Sequence, residues 1–124
     1  MSINVSWDNL KQTVIRWDFE QQWTWHDVES ARQLTAIMTQ SVDHNAVDVI
    51  WDLRRVLSLP TPLTFAVNVP DEFFDRTTGS IIITNANTHI YATVRALTAF
   101  NRTLGYHLGF VDTLEEAREM LAVP

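Results

Sequence analysis

Val47-Asp48-Val49-Ile50-Trp51-Asp52-Leu53 runs without a break into Arg54-Arg55-Val56-Leu57-Ser58-Leu59-Pro60-Thr61-Pro62. The first seven residues carry Val47, Val49, Trp51 and Leu53 on one side of an extended chain and Ile50 on the other. A near-continuous apolar run of that length reads as a central strand covered on both faces, the usual state of a strand in a parallel sheet. A loop leads from this strand to Thr61-Pro62, a capping hydroxyl ahead of a proline at the first helical position. The spacing predicts a second helix from Thr61 to about Val69, where Pro70 would remove a hydrogen bond and clash with the preceding turn, so that either a kink or a second short helix through Phe73 and Phe74 follows.

Upstream, Ile3, Val5 and Trp7 alternate with Asn4, Ser6 and Asp8, and Ile15, Trp17 and Phe19 alternate with Arg16, Asp18 and Glu20. Period-two alternation predicts two strands, each with one apolar and one wet face. Asp8-Asn9 supplies turn chemistry between them, giving an antiparallel hairpin. Thr24 opens the first helix with Asp27 three residues on, a relative of the capping box. Val28, Ala31, Leu34, Ile37 and Met38 form its predicted apolar stripe, and Asp43-His44-Asn45 ends it.

Downstream, β-branching predicts a strand over Ser80–Thr84. Asn87-Thr88 begins a helix with Ile90, Val94, Leu97 and Leu104 on one stripe, stopped at Gly105. A short last strand covers Leu108–Val111. Thr113 and Glu116 form a capping box for a final helix that buries Leu114, Ala117 and Leu121. The order ββαβαβαβα specifies one α/β domain over residues 1–124, mostly parallel, with an antiparallel edge from the hairpin.

The composition excludes several classes. There is no cysteine, so disulfides, thiolate metal sites and thiol nucleophiles are absent; this fits a cytoplasmic protein. No apolar run approaches the roughly 20 residues that a membrane-spanning helix needs. The net charge is −6 and the one lysine is Lys11, a balance that repels the phosphate backbone and disfavours nucleic acid as a partner. With only Gly79, Gly105 and Gly109, no glycine-rich phosphate loop exists. His26, His44, His89 and His107 have no metal-ligand spacing, so neither a metal nor another cofactor is expected. Of the five tryptophans, Trp7, Trp17, Trp23 and Trp25 lie close together near the start. They read as core and as a staple of the first helix, with an aromatic interaction surface as the alternative.

In element order the chain resembles the STAS family, named for sulfate transporters and anti-sigma factor antagonists. The strand Val47–Leu53 is similar to the one that leads into that family's regulatory loop, and Phe110–Ala117 to its last strand and helix start. The resemblance implies a regulatory protein–protein interaction module, without enzyme activity, that binds a protein partner through the loop and second helix over Ser58–Val69. In anti-sigma factor antagonists a serine or threonine at that helix start is phosphorylated. On this chain the nearest residue is Thr61, with Ser58 and Thr64 beside it. Pro60 and Pro62 flank Thr61 and the loop has no glycine, a departure from the family's pattern; as a plain reading, Thr61 is the N-cap of the second helix.

Two other readings use the strand ends. Asp52, Arg54, Arg55 and Thr84 could form a small-ligand or anion site at the carboxyl edge of the sheet, where α/β domains place ligands. Asp52 with the acidic pair Asp18 and Glu20 could also be a degenerate receiver-like phosphoacceptor, but Leu108–Thr113 lacks the lysine that receivers carry there. The hairpin's free edge is open to a homodimer unless the charges of Asp8, Arg16 and Asp18 blunt it.

Overall fold

The structure is a computed structural model that describes residues 2–42, 47–60, 78–100 and 108–122, with the side chains of 78 and 97–100 excepted. A five-stranded sheet runs in the order β1 (Ile3–Trp7), β2 (Val14–Phe19), β3 (Val47–Asp52), β4 (Thr78–Thr84) and β5 (Leu108–Phe110). β1 and β2 are antiparallel, and every later pair is parallel. The helices among the described residues are α1 (Trp25–Gln40), α2 (Thr88–Phe100) and α3 (Leu114–Ala122). The predicted helix from Thr61 to Val69 lies outside the described residues, as do Asp43-His44-Asn45, Leu104 and Gly105.

Strand order equal to chain order has a direct consequence. Parallel crossovers share one hand, so they fall on one face of the sheet. α1 and α2 accordingly bury Val28, Ala31, Ile90 and Val94 into the same core as Ile3, Ile15, Trp17, Val49, Ile81 and Ile83. The opposite face receives α3, whose Ala117 packs with Val14, Ile50 and Ile82. Ile50 is thus buried on the second face while Val47 and Val49 are buried on the first, as the apolar run of β3 predicts.

The caps fall where their sequence signals place them. Thr24 and Asp27 form a full capping box, the Thr24 hydroxyl accepting from Asp27 N at 3.2 Å and the Asp27 carboxylate from Thr24 N at 2.9 Å. At α3 the Thr113 hydroxyl caps the helix by accepting from Glu116 N at 3.1 Å, but the Glu116 carboxylate takes its bond from that hydroxyl at 3.4 Å, so the full box expected there is only half formed. Asn87 caps α2, its Oδ1 accepting from Ile90 N at 2.8 Å.

One expectation fails in α1. Ile37 is 64% exposed, and the buried stripe is Val28, Ala31, Thr35 and Thr39. The polar members are matched: the Trp17 indole donates to the Thr35 hydroxyl at 2.8 Å, and the Thr39 hydroxyl donates to Ala36 O at 2.9 Å. Indole recognition rotates the helix toward a threonine that hydrophobicity alone would place in water. The tryptophans pack as a cluster: Trp17 stacks on Trp51 at 5.1 Å, and Phe19, Trp23 and Trp25 continue it edge to face. Trp23 is buried among them as a staple of the α1 start.

A bulge between Val47 and Val49 lets the Asp48 carboxylate accept from Ser80 N at 2.9 Å. The carboxylate then occupies the space over Gly79, where an added Cβ would collide with it. Gly79→Ala is expected to push the Asp48 carboxylate aside and break its bond to Ser80 N, lowering the unfolding free energy by about 0.5–1.5 kcal/mol. Urea denaturation monitored by tryptophan fluorescence measures the loss.

Candidate functional site

The alternation of β2 and β3 sends Arg16, Asp18, Asp48 and Asp52 to the second face. The register then lines up Asn4, Asp18, Asp52 and Thr84 in one row across four strands, at the carboxyl ends of β2, β3 and β4. α3 covers the β3–β4 half of this face. On the β1–β2 half lies a cleft of about 290 Å³ lined by Asn4, Arg16, Asp18, Phe19, Asp52, Arg54 and Arg55.

Asp52 organises one wall. Its side chain is 4% exposed, so leaving it unpaired would be costly. Oδ1 accepts from Arg54 N at 3.0 Å and from Asn85 Nδ2 at 3.0 Å, and Oδ2 accepts from the Arg54 guanidinium at 2.8 Å. Burial pushes the carboxyl upward, but these bonds from Arg54 and Asn85 outweigh it and hold Asp52 below the ordinary aspartate value of 3.8. The same bond to Asp52 raises the Arg54 guanidinium above its ordinary value.

The loop after β3 is held from three further directions. Leu53 N donates to Thr84 O at 3.0 Å, and Val56 N closes a turn on Leu53 O at 3.0 Å. Asn87 Nδ2 donates to Val56 O at 3.1 Å, so the residue that caps α2 also pins this loop. The Trp25 indole donates to Pro60 O at 3.0 Å from the first turn of α1. Val56 is buried under the loop, whereas Leu57 faces solvent.

Each arginine of the cleft is already matched by a carboxylate. Arg54 holds Asp52; Arg55 reaches Glu20 at 3.2 Å; Arg16 bridges Asp8 at 2.8 Å and Asp18 at 3.0 Å. Arg118 of α3 adds a second guanidinium to Asp8, with contacts of 2.9 and 3.0 Å. Arg54 and Arg55 keep 67% and 68% of their side chains exposed, so both can be reached from solvent.

Of the residues the sequence singles out, Asp52 and Arg54 come together, and Arg55 turns instead to Glu20 at the end of β2. Thr84 sits in the same row, but it is fully buried, and its hydroxyl has no hydrogen-bond partner among the described residues. Asp18 and Glu20 are each engaged by an arginine, Arg16 and Arg55. Ser58 lies on the loop; Thr61 and Thr64 lie outside the described residues. Sequence reasoning missed Asn85, Asn87 and Trp25 as the donors that hold the loop. Asn85 did carry a signal: an asparagine straight after a strand favours the left-handed backbone it adopts, with φ of 60°.

With the geometry in place, comparison with known proteins gives the fold. The chain matches no protein-family profile, and no curated protein sequence matches it. A solved structure of the anti-sigma factor antagonist SpoIIAA in its unphosphorylated form superimposes with a TM-score of 0.62 at 18% identity, covering 96% of this chain and 95% of that one. The chain therefore has a STAS-like α/β fold. No helix among the described residues is long and apolar enough to cross a membrane.

Asp52→Asn is expected to lower the unfolding free energy at pH 7 by about 1–3 kcal/mol, because it removes the charged acceptor and sets an amide donor against Arg54 or Asn85. The native carboxyl is held below its unfolded value, so its stabilisation is complete above pH 3.8 and is lost as the pH falls through the lower native value. Urea titrations from pH 7 down to about 2 should show the gap between the two proteins closing in that acid range.

Proposed function

We propose that this chain is a regulatory protein-binding module of the STAS type, acting in the cytoplasm and carrying out no catalytic step. The observation that carries the reading is the loop after β3, in a fold shared with an anti-sigma factor antagonist. Asn85 holds the start of that loop through Asp52, Asn87 holds its middle at Val56 O, and Trp25 holds Pro60 O, next to Thr61 in the chain. A pre-ordered loop loses little conformational entropy when a partner docks, which favours recognition there. Leu57, exposed on the same loop, offers an apolar contact beside Ser58. Phosphorylation of Thr61 or of its neighbours Ser58 and Thr64 would place a dianion in this region and switch docking.

The test compares proteins retained by the immobilised chain with those retained by Leu57→Asp, Thr61→Glu and Leu10→Asp, read by mass spectrometry. Leu10 is fully exposed at the tip of the β1–β2 hairpin and serves as the control. A partner lost with Leu57→Asp and kept with Leu10→Asp is expected. Its loss with Thr61→Glu as well would make Thr61 the switch. Equal retention by all four proteins would overturn the loop as the docking element.

The cleft supports a second reading, a site for a small ligand with an anionic group. The Arg55–Glu20 pair is exposed at both partners, and exposed pairs contribute only about 0–1 kcal/mol, so a ligand carboxylate or phosphate can displace Glu20. Titration with inorganic phosphate or a short dicarboxylate, followed by amide NMR, should shift Arg54, Arg55 and Asn4 together. Shifts scattered over the surface, or none, would count against a ligand site.

A further inference from the structure

β1 forms one edge of the sheet. The backbone bonds from Asp8 N to Val14 O at 2.8 Å and from Glu20 N to Ser2 O at 2.9 Å fix which residues of β1 face β2. Hydrogen-bonded positions alternate along an antiparallel pair, so Ser2, Asn4, Ser6 and Asp8 use their amides and carbonyls inward. Ile3, Val5 and Trp7 therefore point theirs outward, and no strand among the described residues pairs with that side.

Free edges in stable proteins are usually blunted by a lysine, a proline, a bulge or an inward charge. The run Ser2-Ile3-Asn4-Val5-Ser6-Trp7 has none of these. The charges that could blunt it are engaged elsewhere: Asp8 is held by Arg16 and Arg118, Asp18 by Arg16, and Glu20 by Arg55. Val5 and Trp7 are only half-buried, although both sit on the face that carries the main core.

We propose that β1 pairs antiparallel with β1 of a second copy of this chain about a two-fold axis at Val5, joining the two sheets into one of ten strands. The outward groups of Val5 would bond to those of Val5 in the second copy, and those of Ile3 to those of Trp7. On the core face the same pairs close Val5 and Trp7 from water. On the other face, Asn4 stands opposite Ser6, two small uncharged residues with no like charges in register. The occupant is a second copy because the edge is complementary to itself under this rotation, and such an isologous contact uses each β1 once and closes as a dimer. The dimer depends on β1 alone, so it stands or falls independently of the loop as a docking element.

Sedimentation equilibrium of the full chain from about 1 to 200 micromolar, a range that brackets a weak association, tests it. The mass is expected to rise with concentration from 14.3 kDa toward twice that value. Val5→Pro removes an outward N–H that the β1–β2 ladder does not use, so it should abolish the dimer with the circular dichroism spectrum unchanged. Asn4→Lys with Ser6→Lys sets like charges opposite one another across the axis and should also abolish it. Asn4→Lys with Ser6→Glu sets opposite charges there and should restore it. A mass of 14.3 kDa at every concentration, a dimer that survives the double-lysine change, or growth beyond the dimer would each overturn the proposal.

Discussion

The carboxylate of Asp52 is the interaction on which the rest of the site depends. It is buried at the end of the central strand, where a lone charge would be expelled or protonated. Three donors prevent that, and each fixes a different piece of chain. The Arg54 amide turns the backbone out of β3; the Arg54 side chain closes over the turn; Asn85 ties in the end of β4. The loop that leaves β3 thus starts from a defined direction, and Asn87 and Trp25 hold it further along.

The sheet order sets where such a loop can act. With α1 and α2 packed on one face and α3 on part of the other, the described residues leave the second face partly open over β1 and β2. That open part carries the polar halves of alternating strands, and there the arginines and carboxylates pair among themselves. The pairing satisfies the charges and stiffens the wall of the cleft. It also ties α3 to the hairpin, since Arg118 and Arg16 share Asp8. The Arg54 and Arg55 pairs stabilise less than their number suggests, because those two arginine heads remain largely in water.

Much of the fold was legible because it is written locally. Alternation in β1 and β2, the apolar run of β3, and the hydroxyl caps at Thr24 and Thr113 each report on residues within a few positions of one another. The site was less legible because its contacts join distant residues. Asn85 reaches Asp52, Asn87 reaches Val56, Trp25 reaches Pro60, and Arg118 reaches Asp8. The failed stripe of α1 has the same origin: Thr35 is buried because Trp17, on another element, needs an acceptor. Asp52 was found because a carboxylate at the end of an apolar strand is conspicuous, but its partners could be read only from Arg54, two residues away.

The most direct test of a loop pre-ordered by Asp52 is native-state amide hydrogen exchange, residue by residue, over Leu53–Leu59. Leu53, Arg54 and Val56 donate to Thr84 O, the Asp52 carboxylate and Leu53 O, so their amides should exchange slowly, within about tenfold of β3 itself. Asn87→Ala should release Val56 while leaving β3 protected. If Arg54 and Val56 exchange at the rate of an unstructured chain while β3 stays protected, Asp52 and its neighbours do not pre-order the loop, and its role as a ready docking element is contradicted.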